Sequence, residues 1–157
     1  MNIIIDRSDK RGTIDFGWLK SFHSFSFGSY HNPEKIQFGV LRVLNDDKVS
    51  PDNGFGMHSH ENMEIISIVL DGELTHKDNM GNESLINKGD IQVMSAGTGV
   101  LHSEYNQNLN KEVSFLQIWL FPSKKNVVPR YQQISMDRIQ VKDQLVQILS
   151  PNKEDKG

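Results

Sequence analysis

"EIISIVLDGELTHK", residues 64–77, decides the fold. Two runs rich in Ile, Val and Leu flank Asp71-Gly72, a dipeptide suited to a two-residue turn between antiparallel strands. The pattern predicts strands over 64–70 and 73–77 joined as a hairpin. On both sides of it, similar apolar runs recur at 38–44 ("FGVLRVL"), 83–87 ("ESLIN"), 90–95 ("DIQVMS") and 112–121 ("EVSFLQIWLF"). Turn-forming clusters separate them, among them "NPEK", "SPDNG", "NMGN", "NKGD" and "AGTG". No window keeps a helical period, and "SMDRIQVKDQLVQIL" (135–149) is ambiguous between helix and strand. Many short strands between frequent turns make an all-β chain, either a sandwich or a jelly-roll barrel.

The chain has 157 residues, enough for one domain with a real core. Its net charge of −3 carries no basic footprint for nucleic acid. No stretch is apolar for the length of a membrane span, and the short "NIII" run at the start is followed at once by charges, so no export signal is read and a cytoplasmic location is expected. With no cysteine, disulfides, thiolate metal sites and thiol nucleophiles are excluded. Any metal site must be built from His, Asp, Glu or backbone oxygen.

Two short motifs fit that requirement. "MHSHENME" (57–64) carries His58 and His60, and "SAGTGVLHSEYN" (95–106) carries His102 and Glu104. Residues two apart on a strand share a face, so each pair aims both side chains the same way. Placed on neighbouring strands, they offer three imidazoles and a carboxylate to one point, a donor set that suits a first-row transition metal. Glu64 is a rival for the carboxylate, because a continuous strand would give it the parity of His58 and His60. It would then be an oxygen ligand, a base, or a partner holding a ligand imidazole by its other nitrogen. Glu61 has the opposite parity and reads as solvated, and Ser103 points away from its two neighbours. One HxH alone reads more simply as a polar loop, whereas HxH and HxE together favour a site. His23, in the aromatic run "SFHSFSFGSY", reads as a packing residue, His31 as exposed, and His76 as a bland interior residue. Phe38, Phe55, Phe115 and Trp119 read first as core. No G-x-S-x-G elbow or phosphate loop is present.

These same stretches, with "GWLKSFHSFSFGSY", "FGVLRVLNDDKV" and "SFLQIWLFP" in the same order, resemble the pirin family of the cupin superfamily. The resemblance implies a cupin-type jelly-roll β-barrel over 1–136, a single barrel with a C-terminal extension over 137–157. It implies one divalent transition metal, iron as Fe(II), on His58, His60, His102 and Glu104, since pirins take their carboxylate from the place of Glu104 and other cupins from that of Glu64. Glu104 or Glu64 would act as catalytic base. Some members oxidise quercetin, which implies a small aromatic or enolic substrate and dioxygen, whereas mammalian members are nuclear cofactors of transcription regulators. Pirins are usually two barrels in one chain, and the second would begin where this chain stops. Ile139, Val141, Leu145, Val146 and Ile148 are therefore expected to be covered by a second copy, giving a homodimer.

Overall fold

The computed structural model describes residues 5–136 and 147–150. After a short 3-10 turn at Ser8–Lys10 come eleven strands among the described residues. They are β1 (Gly12–Asp15), β2 (Leu19–His23), β3 (Leu41–Val49), β4 (Asn53–His60), β5 (Glu64–Asp71), β6 (Glu73–Asp78), β7 (Glu83–Asn87), β8 (Asp90–Ser95), β9 (Val100–Asn106), β10 (Val113–Leu120) and β11 (Arg130–Ser135). One sheet has the order β1-β2-β3-β10-β5-β8-β11 and the other β4-β9-β6-β7. Each strand pair is antiparallel. No helix among the described residues is long and apolar enough to cross a membrane.

The two runs of the opening stretch form strands, but they do not pair with each other as a hairpin. β5 is flanked by β10 and β8, so both its edges are used, and β6 joins the other sheet between β9 and β7. Asp71-Gly72 is thus a corner where the chain crosses between sheets. Gly72 has φ +80°, and a Cβ there would meet the Glu112 carbonyl oxygen at 2.8 Å. Only glycine turns this corner without strain.

The inward rows explain where the interior is apolar and where it is not. β3 presents Val43, Asn45, Asp47 and Val49; β5 presents Ile65, Ser67 and Val69; β9 presents Val100, His102, Glu104 and Asn106. β10 adds Phe115 and Gln117. Apolar residues therefore sit towards the ends of most rows and polar ones in the middle. One end is closed by Leu19, Val49, Val69, Leu74, Ile86, Val113 and Phe115, drawn from both sheets. The other is closed by Ile65, Met94 and Val100, with Met63 and Trp119 packed against them. Each such large side chain contributes about 1.5–3 kcal/mol by leaving water. The two plugs hold the sheets together around a polar middle layer.

On the outer side, Ile66, Ile91 and Val93 are covered by Met136, Ile148 and Leu149 of the same chain. Ile148, expected to need a second copy, thus packs on its own barrel. Ile139, Val141, Leu145 and Val146 lie outside the described residues. Phe38, read as core, is 70% exposed. It sits in a tight turn that ends at the Phe38–Leu41 bridge, before β3 enters the sheet.

Candidate metal centre

β4 and β9 bring the two motifs together. His58 lies directly opposite His102 in the ladder, and His60 opposite Val100. The ring centroids are 4.4 Å apart for His58 and His102, 4.8 Å for His58 and His60, and 4.9 Å for His60 and His102. One ligand atom from each of the three residues lies within 4.8 Å of the other two. A β-bulge between Phe55 and His58 shifts the register by one step. Strict alternation would place these two, three apart, on opposite faces. With the bulge, both line the same cavity. Gly54, two residues before the bulge, lies so close to β9 that a Cβ would stand 2.4 Å from the Glu104 carbonyl oxygen.

The ring nitrogens are set for coordination. His58 Nδ1 is 2.8 Å from the Gly56 carbonyl, so it donates there and Nε2 keeps its lone pair. His102 is 1% exposed, and its Nε2 is buried with no hydrogen-bond partner. Such an orphaned polar atom costs about 1–3 kcal/mol, which a bound cation would remove. His60 is held edge-on against Trp119, with centroids 4.8 Å apart. Burial, then the neighbouring imidazoles, lowers His60 to about 4. Burial, then His58 and His76, lowers His102 to about 3. Both rings are therefore neutral at pH 7, the form that coordinates a metal. The donor set fits a transition-metal ion.

Glu104, also inward on β9, is 3% exposed. Its carboxylate accepts from Ser67 Oγ at 2.9 Å and from Gln117 Nε2 at 2.9 and 3.1 Å. It stands beside the three-imidazole group, its oxygens bound to the opposite sheet. Glu64 is placed differently. The strand does not run on from His60, because Asn62 takes φ +50° and the chain leaves one sheet to start β5 in the other. The Glu64 carboxylate accepts from Ser95 Oγ, which in turn accepts from Arg130 Nε, and Glu64 does not line the cavity. Glu61 and His31 are exposed, and His23 packs edge-on against Phe27.

The cavity over the imidazoles is about 450 Å³ in volume. Trp18, Phe27, Phe55 and Trp119 form aromatic walls, and Asn45, Asp47, Glu104 and Gln117 supply polar groups. Asp47 was not singled out from the sequence. It is 5% exposed and hydrogen-bonded by Ser21 Oγ. Burial, opposed by Ser21 and helped by the nearby Glu104, pushes its carboxyl up to about 7. The signal was present in "RVLNDDKV", where Val43, Asn45, Asp47 and Val49 share parity, but the predicted strand ended at Leu44, before the polar half of the row. His76, read as bland, is fully buried, with its Nδ1 3.5 Å from that of His102.

A two-sheet antiparallel barrel with inward imidazoles converging beside an aromatic cavity is the architecture of a cupin. Among solved structures, the chain is similar to the bacterial pirin YhhW of Escherichia coli in complex with nickel(II), with a TM-score of 0.80 and 43% identity, covering 82% of this chain and 56% of that one. It is 44% identical to the quercetin 2,3-dioxygenase of E. coli K12 over 153 residues, 98% of this chain and 65% of that protein. It is 48% identical to a pirin-like protein of Caulobacter vibrioides over 131 residues, 82% of this chain and 56% of that protein. The Pirin family profile matches residues 6–120, and the chain belongs to the pirin family. It spans less than two thirds of the length of these relatives.

Proposed function

We propose that this barrel is the metal-binding part of a dioxygenase acting on a flavonol-like substrate. The observation that carries the reading is the convergence of His58, His60 and His102 beside a cavity walled by four aromatic side chains. These three would hold Fe(II), with Glu104 as the fourth ligand once its carboxylate turns from Gln117. The metal, when bound, would supply Lewis-acid activation of a substrate hydroxyl and a site for dioxygen. The aromatic walls would give a flat ring system apolar contact. The relatives named quercetin 2,3-dioxygenase support the substrate class.

The substrate hydroxyl must lose a proton, and three carboxylates are candidates for it. A metal-bound Glu104 is a weak base, and Glu64 is engaged with Ser95 outside the cavity. Asp47 lines the cavity and has a pKa matched to neutral pH. We assign it the proton. Oxygen uptake with quercetin tests the whole reading: the iron-loaded chain should consume dioxygen, and the metal-free chain and His102→Ala should not. Asp47→Asn should slow turnover, and an equal loss in Glu64→Gln alone would return the base to Glu64.

A second reading, a metal-dependent interaction protein without turnover, draws on Phe38, Val40 and Phe121, all exposed. The Phe121 N–H donates to the Val40 carbonyl and brings two of them together. Capture of the same partner only with oxidised or only with reduced iron, without oxygen uptake, would favour it.

A further inference from the structure

Behind His102 lies a pair of side chains that does not line the cavity. Asp78 pairs with His102 across β6 and β9, and His76 pairs with Glu104. Both side chains are fully buried, with His76 Nε2 3.1 Å from Asp78 Oδ2. We propose that Asp78 and His76 are positioning residues that lock His102 in the one tautomer able to present an Nε2 lone pair to the metal. The proposal rests on the metal reading above.

With a neutral His76 ring, the hydrogen bonds order the protons one after another. Asp78 Oδ1 accepts the backbone N–H groups of Met80 at 2.9 Å and Asn82 at 3.0 Å. Asp78 Oδ2 accepts Asn82 Nδ2 at 2.8 Å, as well as the His76 contact. A carboxylate surrounded by donors stays ionised, so His76 Nε2 must carry the hydrogen. In the neutral ring Nδ1 is then bare. It faces His102 Nδ1 at 3.5 Å, so His102 Nδ1 donates and His102 Nε2 has no hydrogen. That nitrogen is the one buried without a partner. Tyr131 of β11 stacks on His76 at 4.7 Å and 29°, which fixes the plane of the ring. Outer partners of this kind orient ligand imidazoles and raise their basicity.

A plain structural role is separable, because Asp78 also ties the 78–82 turn. In Asp78→Asn the remaining oxygen still accepts the two backbone N–H groups, and the amide puts a donor where His76 and the Asn82 side chain need an acceptor. The turn survives and the proton order reverses. The test uses cobalt(II), whose visible spectrum reports its geometry, on wild type, Asp78→Asn, His76→Phe and the double variant. Asp78→Asn should bind cobalt about 10–100-fold more weakly with an altered spectrum, and the double variant should be no worse than His76→Phe. Long-range ¹H–¹⁵N spectra of the metal-free wild type should show His102 protonated at Nδ1. Protonation at Nε2 would overturn the proposal. So would Asp78→Asn binding cobalt within twofold of wild type with the same spectrum. If Asp78→Asn does not fold, the tautomer and His76→Phe decide. If wild type binds no cobalt, the metal reading fails, and the tautomer still tests the relay.

Discussion

β4 and β9 each contribute a pair of site residues two apart, yet they hold them differently. β9 is central, between β4 and β6, and its inward residues from Val100 to Asn106 are buried. β4 is an edge strand with a bulge, and His58 and His60 remain half-exposed. His102 is braced by His76 of the neighbouring strand, whereas the His58 ring donates to the carbonyl of Gly56, two residues away on its own strand. A central strand supplies a pre-set ligand and an edge strand supplies adjustable ones. Under the proposed metal reading, a site so divided would fix the ion from one side and let the other side adapt to what enters the cavity.

The sharpest way to break this contrast is to remove one ligand from each strand. His102→Ala should weaken nickel(II) binding more than about 100-fold by calorimetry, beyond the 10–100-fold range of outer partners. His58→Ala should cost clearly less, and equal losses would erase the distinction. Glu104→Gln tests the buried side of β9. Its amide would face the Gln117 amide and leave a buried donor unmatched, so the metal-free protein should lose about 1–3 kcal/mol in urea unfolding.

Asp47 sharpens the comparison from the opposite sheet. Its folded pKa of about 7 lies above its ordinary 3.8. Its contribution to stability is full below pH 4 and is lost as pH rises through 7, because the unfolded chain releases the proton more readily. Asp47→Asn should match wild type near pH 4 and exceed it by about 1–2 kcal/mol at pH 8, a value discounted from about 1.4 kcal/mol per unit because the cavity opens to water. The smallest effect belongs to the outward face of β9. Leu101 is 44% exposed, and Leu101→Thr should change stability by no more than about 0.5 kcal/mol.

Much of the fold was legible because apolar strands and turn residues leave local signals. The runs at 64–70, 73–77, 83–87 and 90–95 coincide closely with β5 to β8. Which strand pairs with which was not legible, since Asp71-Gly72 serves a corner as readily as a hairpin. The histidines could be found because equal parity survives in any register. The sheet change at Asn62, which takes Glu64 away from them, depends on a backbone angle that composition does not reveal. Asp47, Asn45 and Asp78 escaped for a common reason, whereas His76 was read as interior and given no role. Polar residues in a barrel's middle layer look like loop residues until the strands opposite them are known.

Gly54 carries a consequence for how such a chain can vary. The carbonyl of Glu104 and the Cα of Tyr105 stand 2.4 and 2.5 Å from where a Cβ would be, and both belong to backbone that cannot swing aside. Any side chain there would act as a wedge between the two strands that carry the imidazoles. The separation of the ligand pairs is therefore gauged by an absent methyl group, and an inherited change at this position would be a mutational dead end unless β9 had already moved.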